Sequence, residues 1–457
     1  MKKIYDIDEL MRYSYEKGLF SGAWLYKKNG VVVSRGAYGT LSPSDKSLIR
    51  TDTIFGIASI TKQFTAAAIM LLCERGLLSL NDKLENYFPT IQYPGITIKN
   101  LMNHTSGLPD YVEWLSKTVI QNNRFANNSD MDVFLAQNDT PAQFAPGSNW
   151  AYCNTGYCVL GRLIEIVSGM SFKAFLHDNL FVPAGMTHTD VRCPFKENDY
   201  PENLARGSIL ESGHFVEASE SHGEGSLTLL DGIEGDGAVM TTVEDMLLWD
   251  EALRQGNVLS HAAQKEMATV TLYQHDGKTL EYPYGFGWQI NSNDIIGKWI
   301  SHTGRWAGYN GIYARALEED SMIIMLCNQY GCDILARMQL LDGVEQILSQ
   351  GETMQPRTLD ETYPDAIPVT VMDHLAGEYA AQSIPMVGLF GESMSLYKAD
   401  TALMLRLTFM DQSYDTEILP TGNDRYIARD GLFELHITDD KIVTAMYGEE
   451  FVYCKER

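Results

Sequence analysis

The chain is poor in the features that announce many function classes. Its seven cysteines are an odd number with no Cys-x-x-Cys pair, which fits reduced thiols in a cytoplasmic protein better than a disulfide framework. The closest pairs, Cys153 with Cys158 and Cys327 with Cys332, have no histidines nearby in ligand spacing, so neither a metal site nor another cofactor is expected. There is no His-Glu-x-x-His, no Gly-x-Ser-x-Gly elbow and no Walker-type phosphate loop, which removes the common signatures of zinc peptidases, α/β-hydrolases and nucleotide hydrolases. Positive charge is scarce: 35 Lys and Arg face 60 Asp and Glu, for a net charge of -25. That balance argues against nucleic acid or an anionic membrane surface as the main partner. The longest apolar runs, such as Ala66 to Cys73, are too short to cross a bilayer. Acidic Asp6, Asp8 and Glu9 stand where a signal peptide would need its apolar core, so export by that route is not expected.

What is present is 457 residues of ordinary globular composition, 45% hydrophobic and 11% aromatic, long enough for two domains. The stretch from Gly56 to Leu72 carries the first chemistry. A small-residue turn delivers Ser59 into a segment with helical spacing, and Lys62 follows three residues later on the same face. Burial of this helix start would lower the pKa of Lys62 and favour a neutral amine able to take the Ser59 proton. Ser-x-x-Lys recurs at Ser14 to Lys17 and Ser395 to Lys398, where ordinary surface pairs are expected. Only the Ser59 copy opens a long apolar helix, and it ends at Glu74-Arg75-Gly76 with a glycine stop.

Along the chain, Ser21 to Leu25 and Val31 to Ser34 read as strands joined by an Asn29-Gly30 hairpin turn. Ile98 to Met102 reads as a short helix leading to His104, taken here as a structural turn histidine. Helical segments fill 130–185. Within them lies Tyr152-Cys153-Asn154, and of 24 tyrosines only Tyr152 has an asparagine two residues on; a pocket-lining role competes with a capping turn. Residues 205–235 read as a long functional loop offering Glu211, Glu217, Glu220 and Glu224. Thr242 to Asp245 opens a capped helix. Period-two patterns predict strands over Lys298–Ser301, Asn310–Ala314 and Ser321–Asn328, in one sheet with the first hairpin. A helix over Ile334–Leu348, a proline-bearing linker over 353–371 and a β-rich tail over 372–457 complete the reading, with strands at Leu403–Phe409, Glu417–Leu419, Leu432–Ile437 and Ile442–Tyr447.

Three motifs stand in order: Ser59-Ile60-Thr61-Lys62, Tyr152-Cys153-Asn154 and His302-Thr303-Gly304. Together they resemble the serine β-lactamase and penicillin-binding protein superfamily, in its class C-like branch of esterases, D-aminopeptidases and carboxypeptidases. His104-Thr105-Ser106-Gly107-Leu108, Gly237 to Asp245 and Tyr284 to Trp288 are similar as well. The resemblance implies an α+β, β-lactamase-like domain over 1–352, an antiparallel sheet flanked by helices plus a helical subdomain, followed by a small all-β, lipocalin-like barrel. It implies an acyl-enzyme on Ser59, with Lys62 and Tyr152 as the candidate proton acceptors. Asn154, His302, Thr303 and Gly304 would bind substrate, and the backbone N–H groups of Ser59 and Arg305 would hold the oxyanion.

Histidine at 302 departs from the family's usual Lys-Thr-Gly and weakens attraction for a substrate carboxylate. The expected substrate is therefore a small ester, an amide or a short peptide with a D-residue; homo-oligomers are compatible with the reading. Two alternatives stay open: a penicillin-binding carboxypeptidase or β-lactamase, and a non-catalytic binding protein whose barrel holds an apolar ligand.

Overall fold

The computed structural model describes residues 3–198, 200–211, 214–221, 225–275, 277–293, 297–330, 340, 343–344, 346–347, 350–356, 375–381, 393–399, 402–409, 412–422, 424–428, 434–438, 440–446 and 449–456. The chain forms two compact units, one of Ser21–Tyr330 and one that combines Met1–Phe20 with Gly331–Arg457.

The larger unit is built on a six-stranded antiparallel sheet. Its strands are β1 (Gly22–Lys28), β2 (Val31–Tyr38), β3 (Gln289–Asn293), β4 (Gly297–Trp306), β5 (Tyr309–Ala316) and β6 (Met322–Cys327), in the order β3-β4-β5-β6-β1-β2. The expected hairpin is there, with Asn29 at φ 49 and Gly30 at φ 79, the left-handed pair a tight two-residue turn requires. Sheet closure between the two ends of this unit is also as expected: Cys327 pairs with Gly22 and Met322 with Lys27. A side chain at Gly22 would put its β-carbon 1.9 Å from the Leu326 carbonyl oxygen, so only glycine lets these strands meet.

Helices α1 (Lys62–Glu74) and α2 (Asn154–Ser168) pack on each other, and α3 (Val243–Gln255) packs on strands β1 and β6 of the sheet. In α1, Phe64, Ala66, Ala67, Ala68, Ile69 and Leu72 are fully buried, and burial of each large side chain among them contributes roughly 1.5–3 kcal/mol. Trp249 of α3 donates its indole N–H to Gln63 Oε1 at 2.8 Å and packs on Phe64 with ring centroids 4.7 Å apart. Thr242 caps α3 by accepting from the Asp245 N–H, as its sequence predicts. A buried ionic cluster ties α3 to the sheet: Asp250 meets Lys27 at 2.8 Å, Arg254 at 2.8 Å and Arg315 at 2.7 Å. Burial alone would push the Asp250 carboxyl up, but Arg315, Arg254 and Lys27 outweigh it and hold it below the ordinary carboxylate range.

Residues 205–235 contain more regular structure than a plain loop. Ser208–Glu211 and His214–Glu217 form a hairpin, and short 3₁₀ turns follow at Ala218–Glu220 and Gly225–Leu230. Glu217 is engaged by Ser44 Oγ at 2.6 Å and Arg206 at 3.3 Å.

The other unit carries a closed eight-stranded antiparallel barrel, from Gly377–Ala381 to Glu449–Lys455. Tyr379, Met394, Leu405, Ile418, Ile437, Ile442 and Tyr453 are among the buried side chains that pack together as its core. Ser393–Ala399, Arg425–Ala428 and Glu449–Lys455 are strands that the sequence pattern does not flag. The expected linker lies outside the described residues from 357 on, as does most of the helix expected over Ile334–Leu348.

Candidate active site

The nucleophile candidate sits on a tighter turn than the sequence suggests. Ala58–Thr61 is a 3₁₀ turn and the α-helix begins only at Lys62. In a 3₁₀ turn residues three apart eclipse one another, which brings Ser59 and Lys62 closer in direction than an α-helix would. The turn opens at Ala58 with φ 45, an uncommon left-handed conformation for a residue with a β-carbon.

Lys62 is fully buried. Its Nζ lies 2.9 Å from Ser59 Oγ, 2.9 Å from Asn154 Oδ1 and 3.0 Å from the Asp236 carbonyl oxygen. Asn154 opens α2, and the packing of α2 on α1 supplies this contact. The third ligand comes from the Gly235-Asp236-Gly237 turn, which lies across both helices. Thr65 Oγ1 donates to the Gly235 carbonyl at 2.6 Å, and a β-carbon at Gly235 would come within 2.2 Å of the Tyr157 carbonyl oxygen. Lys62 Nζ also stands 5.1 Å from the Tyr152 ring centroid and 5.5 Å from that of Tyr157.

The direction of the Lys62 pKa differs from the expectation. Burial lowers its pKa as foreseen, but Tyr152 and Asp236 act the other way and the net direction is up. Asp236 is itself held in a buried place: burial pushes its carboxyl up against the pull of Lys62, and Tyr111 donates to it at 3.3 Å.

The third motif lies on β4 as expected. His302 is 2% exposed, and both ring nitrogens are used: Nε2 faces the Tyr284 hydroxyl at 2.9 Å and Nδ1 the Thr303 carbonyl oxygen at 2.6 Å. Burial and the nearby Lys62 charge pull its pKa down to about 3. The ring is neutral at pH 7, with Nδ1–H donating to Thr303 and Nε2 accepting from Tyr284. Thr303, by contrast, is exposed. Gly304 has a steric reason to be glycine, because a β-carbon there would lie 2.0 Å from the Ile57 carbonyl oxygen. Strand β4 and the nucleophile turn therefore run backbone against backbone, and Arg305 follows directly.

Ser59, Lys62, Tyr152 and Asn154 are thus brought together in one place, with the His302-Thr303-Gly304 strand beside them. Sequence reasoning gave no role to Asp236, Tyr157 or Tyr284. The Tyr284 stretch and the turn after Asp236 carried a family likeness, but nothing local says that a backbone carbonyl would meet an amine 174 residues away.

The beta-lactamase family matches residues 7–339. The chain belongs to the beta-lactamase family. Penicillin-binding protein 4* of Bacillus subtilis (strain 168) is 31% identical over 425 residues, 93% of this chain and 91% of that protein. Protein flp of Staphylococcus aureus (strain COL) is 33% identical over 330 residues, covering 70% of this chain and 62% of its own length. Among solved structures, the octameric penicillin-binding protein homologue from Pyrococcus abyssi shares the fold over 98% of this chain and 100% of its own, with TM-score 0.61 and 22% identity. D-amino acid amidase from Ochrobactrum anthropi SV3, complexed with L-phenylalanine amide, shares it over 71% of this chain and 90% of its own, with TM-score 0.58 and 22% identity. Members of this beta-lactamase and penicillin-binding protein superfamily are serine hydrolases. Among the described residues no helix is long and apolar enough to cross a membrane.

Proposed function

We propose that the protein is a serine hydrolase that forms an acyl-enzyme on Ser59 and cleaves a small ester or amide, peptides with a D-residue included. The observation that carries the reading is the set of three oxygens around Lys62 Nζ, one of them Ser59 Oγ at 2.9 Å. An ammonium has three donors for three acceptors; a neutral amine has two for Asn154 and Asp236 and a lone pair for the serine hydroxyl. The geometry suits both forms, and the raised Lys62 pKa favours the ammonium in the resting site. The acylation base is then Tyr152 acting as the phenolate beside the Lys62 ammonium, and its oxygen takes the Ser59 proton to become the phenol. Ser59 Oγ attacks the substrate carbonyl, the backbone N–H groups of Ser59 and Arg305 receive the oxyanion, and the leaving group departs with the proton returned by Tyr152. Asn154 orients the substrate amide and Lys62. Water, deprotonated at the same tyrosine, then attacks the ester, and the acid leaves as Tyr152 returns that proton to Ser59 Oγ.

Neutral His302 supplies no charge for a substrate carboxylate, which favours esters, amides and free-amine peptides over carboxylate-anchored ones. The fold shared with a D-amino acid amidase supports the amide side of this range. A second reading, a penicillin-binding carboxypeptidase or β-lactamase, is favoured by the 31% identity to a Bacillus penicillin-binding protein. In the barrel, the described buried side chains pack together as a core, which favours a structural role over storage of an apolar ligand. Cytoplasmic location is part of the proposal and rests on the cysteine pattern.

The test is a substrate panel of p-nitrophenyl esters, D- and L-amino acid amides, D-residue dipeptides and a chromogenic cephalosporin, assayed with wild type and Ser59→Ala. Turnover of esters or D-amides that disappears in Ser59→Ala is expected. Undiminished turnover by the variant would refute the assignment, and cephalosporin hydrolysis alone would move it to the second reading.

A further inference from the structure

We propose that His104 is a positioning residue for Tyr152, fixing the proton acceptor by gripping the chain on both sides of it; the inference rests on the reading of Tyr152 given above. His104 follows the short helix Ile98–Met102 and stands at φ 61, in left-handed backbone where histidine, asparagine and aspartate are enriched among residues other than glycine. From there it makes two hydrogen bonds that bracket the tyrosine. Its carbonyl oxygen accepts from the Ala151 N–H at 3.0 Å. Its ring Nδ1 accepts from the Cys153 N–H at 3.0 Å. The imidazole also lies against the phenol, with ring centroids 4.4 Å apart. A tyrosine whose two neighbours are both tethered to one residue, and whose ring rests on that residue's ring, keeps little freedom to swing away from Ser59.

The protonation of His104 fits this use. For Nδ1 to accept, the proton must sit on Nε2, and Nε2 is buried with no hydrogen-bond partner among the described residues. The rings of Trp150, Tyr157 and Tyr284 enclose it, at centroid distances of 5.9, 5.3 and 4.7 Å. Burial and the Lys62 charge push protonation of the ring well below its ordinary range. An apolar side chain would fill this pocket without leaving a buried N–H unpaired, which is itself costly. What it would lack is the acceptor for Cys153, so the imidazole is explained by Nδ1. A protonated ring would turn a donor towards that N–H and open the clamp.

The full-length protein allows a direct test with an activated acyl ester, following the acylation rate, KM and the thermal midpoint. His104→Gly keeps the left-handed backbone and deletes the acceptor. His104→Asn keeps the acceptor, because Asn Oδ1 is as many bonds from the backbone as His Nδ1. Glycine is expected to slow acylation about 100-fold, the scale of a 1 Å misplacement, with KM within about threefold. Asparagine should restore the rate to within about tenfold of wild type. In a Tyr152→Phe background glycine should cost nothing more, because the effect passes through Tyr152 and the two losses are not additive. Equal losses in both backgrounds, no loss with glycine, or an asparagine variant no better than glycine would each overturn the inference. Should the glycine variant fail to fold, asparagine decides alone: near-wild-type acylation supports the clamp, and a 100-fold loss in a folded protein overturns it. Absence of acylation in wild type would overturn the hydrolase reading and this inference together, whereas normal wild-type acylation with an indifferent His104→Gly overturns this inference only.

Discussion

Adding one methyl group at Gly304 should damage catalysis while leaving the fold in place. The β-carbon of Gly304→Ala would lie 2.0 Å from the Ile57 carbonyl oxygen and 3.0 Å from its carbon. Neither neighbour is a side-chain tip that could turn aside; both belong to the backbone that leads into Ser59. Strand β4 and the nucleophile turn must therefore separate by about 1 Å, a displacement that costs on the order of 100-fold in rate when it falls between reacting groups. The same movement spreads the two backbone N–H groups proposed to hold the oxyanion, and loss of one such donor is worth roughly 2.7–4 kcal/mol in the transition state. Stopped-flow acylation by an activated ester, with KM measured in parallel, should show a fall of about 100- to 1000-fold carried by the rate and not by binding. Circular dichroism should remain that of the wild type. A Gly304→Ala protein that acylates within a few-fold of wild type would refute the account of why this position is glycine and of how the strand serves the site.

Asp250→Asn should cost about 3–5 kcal/mol in denaturant unfolding, because Arg315 would lose its buried counter-charge and Lys27 would keep only the half-exposed Asp320; a loss under 1 kcal/mol would contradict that role. Tyr284→Phe should cost about 1–3 kcal/mol by leaving His302 Nε2 buried without its donor, and an unchanged thermal midpoint would count against the bond. His302 makes stability acid-sensitive, and the sign follows from its folded pKa near 3 lying below the ordinary 6.5. Between those values the unfolded chain binds a proton that the folded one refuses, so this contribution is complete above pH 6.5 and is lost as pH falls towards 3. A His302→Gln protein should show a shallower loss of stability over that window; parallel curves would refute it. The same neutrality predicts that kcat/KM shows no limb from His302 between pH 6 and 8, which a pH profile of the same variant checks.

Much of this architecture was written in local signals. Asn29-Gly30 demanded a left-handed turn and hence a hairpin, and period-two runs placed β5 and β6 close to their observed ends and β4 at its start, but stopped at Ser301 where the strand continues to Trp306. Ser59, Lys62, Tyr152 and Asn154 were legible because each belongs to a short motif whose spacing already contains chemistry. The rest depended on contacts that spacing does not encode. The 3₁₀ turn under Ser59, opened by a left-handed Ala58, has no counterpart in the helix propensity of the stretch. The direction of the Lys62 pKa came out opposite to the burial argument because a buried amine also meets whatever negative groups the fold brings beside it, here Tyr152 and Asp236. Ser14 to Lys17 has the spacing of a surface pair, yet Ser14 is buried, because it shares a helix face with Ile7, Leu10 and Met11 and its hydroxyl is satisfied by the Leu10 carbonyl at 2.8 Å. Ser395 and Lys398 fall on a barrel strand, where three residues apart means opposite faces. In the tail, Ser393–Ala399 carries too short a strand signal to stand out, with only Met394 and Leu396 as buried apolar residues alternating with serines.

In the mechanism proposed above, Ser59 becomes covalently acylated and is then released. Intact-mass spectrometry over a time course with an activated acyl ester, wild type beside Ser59→Ala, followed by peptide mapping, tests it most directly. A transient adduct on the peptide bearing Ser59 is expected, present in wild type, absent in Ser59→Ala and decaying as product forms. An adduct of equal yield in Ser59→Ala, or none in a wild type that still turns the ester over, would contradict it.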